Sequence, residues 1–372
     1  MKMTRIGMDI AKSMFQLHGV DSHERAALKK KLKRAEVLAF FRATPACEVG
    51  IEACGGAHHW AREIGKFGHA VKLIAPQFVK PYVKTNKNDA ADAEAICEAM
   101  SRPNMRFVPI KTTAQPDLQA IHRIRSELIK QRTMKGNQIR GLLAEYGVIV
   151  DKRLERLRAA LPVILEHIDS GDNGLTMPMR HLMNELREDL VQFDARVGQM
   201  DEKIAIEAKG NDAVKRLQQI PGIGPISATA LVAAVGDAKN FKCGRAMAAW
   251  LGLVPAQKSS GGKDRLLGSD KLVAFGISKR GDSYIRTLLI HGARASQRAA
   301  LNKTDPRSVW VNALGERRHK NVAAVALANK NARIAWAILS RGEDYRAPGV
   351  STSARGTTTS ALPTAAHEAC VM

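Results

Sequence analysis

Cysteine is sparse in this chain, and no two cysteines form a CxxC pair. The five that occur in 372 residues, Cys47, Cys54, Cys97, Cys243 and Cys370, provide neither a disulfide framework nor zinc-ligand spacing. They suit a reducing cytoplasm. Long apolar runs are missing as well: no stretch of about 18 hydrophobic residues occurs, so no membrane-spanning helix is expected. The first nine residues carry Lys2 and Arg5 with no apolar segment ahead of a charge, which argues against a secretory signal. Acids are the third shortage. Against 58 Lys and Arg stand 36 Asp and Glu, giving a net charge of +22 and a pI near 10.0. Such a surplus implies a polyanionic partner, because basic side chains that replace condensed counterions on phosphates release them. Charge points to nucleic acid without separating DNA from RNA, or a binder from an enzyme.

The first hundred residues alternate between strand and helix patterns. Residues 5–10 and 14–20 read as strands, 25–32 as a third closing an antiparallel meander, and 35–42 as a short helix. CEVGIE (47–52) reads as a strand ended by Gly55-Gly56, 58–67 as a helix, 70–74 as a strand and 88–100 as a strong helix, with Asn88 or Asp89 near its N-cap. This order suits an α/β domain, a mixed sheet with helices packed on it, over residues 1–110. Residues 111–213 read as helical. Leu182, Leu186, Leu190, Phe193, Val197, Met200 and Ile204 form a heptad-like seam, expected to pair with the helix of 114–147 as an antiparallel hairpin or between subunits, in coiled-coil fashion. A mainly α domain is expected over 214–346. The Ser/Thr/Ala-rich tail 347–372 is expected to be disordered.

Four acids stand out: Asp9 inside the first strand, Glu52 at the end of CEVGIE, and Asp89 and Asp92 in NDAAD, three apart and so on one helical face. A carboxylate in an apolar strand is costly unless it is paired or metal-bound. Converging oxygens of this kind suit Mg²⁺ or Mn²⁺, and two such ions clamp the attacking and leaving oxygens of a phosphodiester. Three of these acids also have a plain structural reading: Asp89 as a cap, Asp92 favouring the helix dipole, Asp9 accepting from a turn amide.

The C-terminal half holds three further motifs. IPGIGPISATALVAAVGD (220–237) opens on a Pro221-Gly222-Ile223-Gly224 turn before a helix of small residues, the pattern of a helix-hairpin-helix. Amides at Gly222 and Gly224 would hold a phosphate there without reading sequence. The alternative is a glycine turn between packed helices. KSSGGKDR (258–265) places Ser259 and Ser260 beside two glycines and Lys258, Lys263 and Arg265. A serine becomes a nucleophile when its proton is accepted and the phosphorane is stabilised, which basic side chains and open amides do; a flexible linker is the plain reading. ISKRGDSYIRTLLIHGARAS (277–296) places Lys279, Arg280 and Arg286 at the entrance of an amphipathic helix, as phosphate contacts or a solvated basic face.

GMDIAKSMFQLHGVD, VGIEACGGAHHWARE and VKTNKNDAADAEAICEAM together resemble the RuvC-like DEDD domain of insertion-sequence transposases, the bridge-RNA-guided recombinases. The resemblance covers nearly all of residues 4–100, and residues 214–342 resemble the same family's second domain. It implies an RNase H-like fold and metal ligation by Asp9, Glu52, Asp89 and Asp92. It also implies a serine nucleophile at Ser260, or its neighbour Ser259, with Ser260 preferred because it directly precedes Gly261-Gly262. It further implies double-stranded DNA and a noncoding guide RNA as partners, a homo-oligomer such as a tetramer, and a place in the bacterial cytoplasm at the nucleoid. One departure is that SDKLVAFG (269–276) intervenes where relatives pass almost directly into the ISKRGD-like segment. Competing readings are a metal-dependent junction-resolving nuclease, a non-enzymatic nucleic-acid binder, and an actin-like sugar kinase. The kinase reading lacks a second phosphate hairpin and suits +22 poorly.

Overall fold

The computed structural model describes residues 3–84, 88–166, 174–256 and 276–347. Two compact units emerge, one of residues 1–215 and 225–242, the other of residues 216–224 and 243–372. The chain therefore passes between units more than once, where consecutive blocks at 1–110, 111–213 and 214–346 were expected. The expected tail falls, from residue 348 onward, outside the described residues.

The first unit begins with β1 (Arg5–Ile10), β2 (Met14–Val20), β3 (Ala26–Lys33), α1 (Val37–Ala43), β4 (Glu48–Glu52), α2 (Ala57–Gly65), β5 (Ala70–Ile74), α3 (Pro76–Val79), α4 (Asp89–Met100) and β6 (Phe107–Val108). The strands form one mixed sheet in the order β3-β2-β1-β4-β5-β6, with β1-β4 and β4-β5 parallel and the remaining pairs antiparallel. This α/β arrangement is consistent with an RNase H-like fold. Alternation sorts the residues onto two faces. Ile6, Met8, Phe15, Leu17, Val49 and Ile51 pack against α1 and α2 around Phe41, Trp60 and Ile64. The opposite face takes α4, whose Ile96, Ala99 and Met100 join Ile74 and Val79 in a second cluster. The two-residue edge strand β6 and the single-turn α3 are too short to leave a periodic signal.

A long antiparallel helix pair follows, α5 (Ala114–Ala144) and, after α6 (Leu154–Glu166), α7 (Met177–Gly210). Ion pairs set the direction: Arg125 with Asp201, Arg132 with Asp194 at 2.9 Å, and Lys135 with Asp189 at 2.9 Å, so the partner number falls as α5 advances. The pairing lies within the chain. The buried seam of α7 is Met183, Leu190, Val197 and Ile204, with Leu186, Phe193 and Met200 half-buried between them. Leu182, the expected first member, is 49% exposed. Steps of three and four that alternate strictly select Met183, because a seam facing one partner repeats every seven residues.

α8 (Asp212–Gln218) leads to α9 (Pro225–Val235), which is apolar on all sides and packs in the first unit against α5 and α7. Its C-terminal carbonyl at Ala233 accepts from Gln119 at 2.9 Å and Gln115 at 3.3 Å, which satisfies one of the acceptors a helix end leaves open. The Thr229 hydroxyl donates to the Pro225 carbonyl at 2.7 Å, so the buried His122 donates its Nε2 proton to Thr229 at 3.0 Å. Burial, then the Arg125 charge, push His122 from 6.5 down to about 4. The native state thus binds fewer protons than the unfolded chain between those values, and stability falls as pH drops through that window. We expect the wild-type unfolding midpoint to fall on acidification from pH 6.5 to 4, and His122→Gln to flatten part of that fall. Identical acid profiles for the two proteins in calorimetry would refute the assignment.

The second unit holds α10 (Gly244–Trp250), α11 (Ser283–Ala299), α12 (Pro306–Arg317) and α13 (Lys320–Arg341). Helix α13 presents Ala323, Ala324, Leu327, Ala328, Ala332, Ala335 and Ile338 to its neighbours. Small side chains allow close approach: a Cβ at Gly244 would lie 3.0 Å from the Arg333 carbonyl oxygen. Asp282 and Asp305 cap α11 and α12 by accepting first-turn amides. Among the described residues no helix is long and apolar enough to cross a membrane.

Candidate active site

Strand register brings the first two acids together. Parallel pairing of β1 with β4 runs from Arg5 opposite Glu48 to Met8 opposite Ile51. Asp9 and Glu52 are each the next residue, so they stand side by side where two parallel strands end. β1 has β2 on one flank and β4 on the other, so the chain reverses its strand order here. The carboxyl ends of strands at such a point form the usual crevice of open α/β sheets.

The third and fourth acids arrive on α4. Arg5 donates to the Cys97 carbonyl at 3.3 Å, and Gly7 lies under Ala93 and Cys97, so α4 runs antiparallel to β1 and its first turn lies toward the acid end. Two glycines make this contact possible. A Cβ at Gly7 would be 2.2 Å from the Ala93 carbonyl oxygen and 2.6 Å from the Cys97 nitrogen, and one at Gly50 would be 2.0 Å from Met100 Sδ. Because side chains alternate, Gly7 shares its face with Asp9, and Gly50 with Glu52. Asn88, not Asp89, caps the helix: its side chain accepts from Ala91 N at 2.7 Å. The cap reading of Asp89 is therefore replaced. Asp89 and Asp92 occupy the first turn, where the dipole favours negative charge.

Electrostatics record the convergence. Asp9 is pushed up from 3.8 to about 6, first by burial and then by the charges of Asp92, Asp89 and Glu52. Like charges near a half-buried carboxylate disfavour its ionised form. Among the described residues no three His, Cys, Asp or Glu side chains stand close enough to hold an ion as they are. Asp92, Asp89 and Glu52 each lie within electrostatic reach of Asp9 without forming a closed cage.

The other sequence-marked residues distribute differently. Lys258, Ser259, Ser260, Lys263 and Arg265 lie outside the described residues. The described residues on either side of that stretch are joined: Pro255 bridges Ile277, Ala256 N donates to the Gly276 carbonyl at 3.2 Å, and Ser278 N to the Val254 carbonyl at 2.8 Å. Ala256 and Gly276, the described residues on either side of 257–275, are thus held together, and of the extra SDKLVAFG stretch all but Gly276 lies outside the described residues. Gly252 and Gly281, both at positive φ, press this junction together; a Cβ at either would come within 2.1 Å of a carbonyl oxygen across it. Lys279 and Arg280 are exposed beside it, whereas Arg286 donates to the carbonyls of Leu251 at 3.1 Å and Arg280 at 3.2 Å and so holds the junction.

The two turn glycines also part company. Gly222, at φ +91°, lies against α11: a Cβ there would be 2.6 Å from the Gly292 carbonyl oxygen. Its lack of a side chain is accounted for by packing. Gly224 is exposed with open space around it. Two residues the sequence reading missed anchor this turn. Arg307, 6% exposed, donates to the Pro221 carbonyl at 2.7 Å and to Asn331 at 2.8 Å, and the fully buried Asn331 donates to the same carbonyl at 3.2 Å. Neither sits in a recognisable motif. Arg307→Met should lower stability by about 2–3 kcal/mol, because charge-assisted bonds are lost and the buried Asn331 side-chain oxygen loses the Arg307 donor. Denaturant unfolding checks this, and a loss under about 0.5 kcal/mol would contradict it.

The chain matches two family models. One, described as a transposase model of DEDD type, covers residues 6–148, and one of the transposase IS116/IS110/IS902 family covers residues 214–307. It is 53% identical to a probable family 20 transposase of Pseudomonas aeruginosa, over 94% of this chain and 100% of that protein. It is 47% identical to the transposase for insertion sequence element IS1111A of Coxiella burnetii, over 92% and 91%, and 38% identical to the transposase for insertion sequence element IS1328 of Yersinia enterocolitica, over 91% and 98%.

Proposed function

Since this chain belongs to the IS116/IS110/IS902 family of insertion-sequence transposases, we propose that it cuts and rejoins DNA with two tools, a four-carboxylate centre for divalent metal and a serine that becomes linked to DNA. The observation that carries the reading is the coupling of Asp9 to Asp92, Asp89 and Glu52 at the shared end of β1, β4 and α4. The donor set fits a hard cation: four carboxylates supply oxygen ligands only, as Mg²⁺ or Mn²⁺ prefers. Such ions, when bound, supply Lewis-acid stabilisation of charge on a phosphoryl oxygen. Asp9 and Glu52 offer ligands from rigid strand ends, while Asp89 and Asp92 offer them from a helix turn whose position the two glycines set.

Ser260, or Ser259 beside it, attacks the scissile phosphorus. A serine–phosphate ester forms, the serine proton is lost to a base, and a deoxyribose hydroxyl departs. The ester conserves the broken bond, so strands rejoin by the reverse step without ATP. Lys258, Lys263, Arg265, Lys279 and Arg280 supply cations for phosphates, with the Gly224 amide as a further candidate. Resemblance to guided recombinases supports a noncoding RNA partner and assembly as a homo-oligomer such as a tetramer.

The test is adduct capture. Wild-type protein incubated with element-end DNA and Mg²⁺, then denatured, should carry covalently bound DNA. Ser260→Ala should carry none, with Ser259→Ala as the comparison. Free cleaved ends with no adduct would instead identify a water-using junction nuclease.

A further inference from the structure

Edge strand β3 reads AALKKKLK, and its lysines do not share one environment. Leu28 and Leu32 face the cluster shared with α1, and Lys30 lies over the Phe40 ring at 5.3 Å on that side. Alternation therefore directs Lys29, Lys31 and Lys33 to the opposite face, the one that carries α4 and the acids. All three are exposed. Register connects them to the centre directly: Asp9 pairs with Gln16, and Gln16 with Lys31, while Gly7 pairs with His18, and His18 with Lys29. Two strand spacings separate Asp9 from Lys31, about 10 Å between backbones, and successive lysines on this face are about 7 Å apart along the strand. That interval is comparable to the separation of neighbouring phosphates on an extended nucleic-acid strand. Glu94, the acid of α4 that acts on His18, is in turn ion-paired with Lys84.

We propose that Lys29, Lys31 and Lys33 form a phosphate rail along the sheet edge, beside α4, that guides the backbone of the DNA strand to be cut toward the centre at Asp9. The inference rests on the metal-centre reading above and adds where the substrate strand runs. Edge lysines also protect a sheet from pairing with another chain. That role needs charge on the edge but not three lysines on the acid-bearing face, with Lys31 in line with Asp9 through Gln16.

The experiment uses the full chain in chelator, so that no cleavage occurs, and measures anisotropy of a labelled single-stranded DNA across a range of KCl concentrations. The triple variant Lys29→Gln/Lys31→Gln/Lys33→Gln should bind at least about tenfold more weakly than wild type at 100 mM salt, with the slope of log affinity against log salt reduced by about 2, since each lost phosphate contact on a single strand removes about 0.7. The equal-charge control Lys152→Gln/Lys203→Gln/Lys209→Gln should keep most of the slope. Equal slopes in the two triples would overturn the rail. So would a loss confined to RNA oligonucleotides, or aggregation of the β3 variant with unchanged affinity per protomer. The outcomes stay separable: Asp9→Asn tests the centre by reaction and leaves this salt slope intact, so either idea can fail alone.

Discussion

Asp9→Asn is expected to abolish strand transfer while making the metal-free protein more stable. The two effects have one cause. At neutral pH the wild-type carboxylate is held partly buried against three other acids, which is why it titrates near 6 instead of 3.8. A group whose folded value is raised loses stability for the protein as pH climbs from the unfolded value through the folded one, so at pH 7 the full cost is present. Asparagine removes the charge and the repulsion, and the unfolding midpoint in chelator should rise. The same change removes an anionic oxygen from the donor set. Replacing groups that merely support metal ligands costs about 10–100-fold in affinity or activity, so loss of a ligand should exceed about 100-fold. Glu52→Gln should act likewise, from the neighbouring strand end. The decisive measurement pairs an excision or strand-transfer assay with thermal unfolding in EDTA. A variant that recombines normally would end the metal-centre reading. One that is inactive and also less stable would assign Asp9 a structural duty instead.

Much of this was legible in the sequence because it rests on short periods. Period two reveals the strands of the meander, and the order strand-Asp, strand-Glu, helix-DxxD singles out the four acids proposed as the centre. Where several registers satisfy the pattern, the sequence is ambiguous. Leu182 and Met183 are adjacent apolar residues, and only the partner helix decides that Met183 turns inward. Contacts between distant segments leave no local trace. Nothing around Arg307 or Asn331 announces that both grip the Pro221 carbonyl, and nothing in α9 says that Gln115 and Gln119 will cap it. Arg286 shows a different limit. A basic residue in this motif reads as a phosphate contact or as part of a solvated face, and neither reading includes the two backbone carbonyls to which its Nη1 donates. Charge counts cannot tell a solvated cation from one employed inside the fold.

The glycines of β1 and β4 were visible all along as Gly-x-Asp and Gly-x-Glu, and they carry the second large expectation. Gly7→Ala should be the most damaging single methyl that this sheet can receive. The added carbon would meet the Ala93 carbonyl oxygen at 2.2 Å and the Cys97 nitrogen at 2.6 Å, both backbone atoms of α4 that no rotamer change can move aside. Relief requires the whole helix to lift, and overpacking of a tight contact costs about 1–3 kcal/mol, occasionally more. Gly50→Ala meets the Met100 side chain and then Ile96 Cγ2 at 3.1 Å, side-chain atoms instead of backbone, with Met100 flexible, and should cost less. Gly55→Ala meets nothing within 4 Å and should be nearly silent. The predicted order in denaturant unfolding is therefore Gly7→Ala worst, Gly50→Ala intermediate, Gly55→Ala least. Activity should follow a steeper order than stability, because lifting α4 carries Asp89 and Asp92 away from Asp9 and Glu52, and a misplacement of about 1 Å at a reacting site costs about 100-fold. Suppose Gly7→Ala proves as stable and as active as Gly55→Ala. Then α4 is not seated on the sheet as described, and the helix-borne pair of acids has no fixed position from which to serve the strand-borne pair.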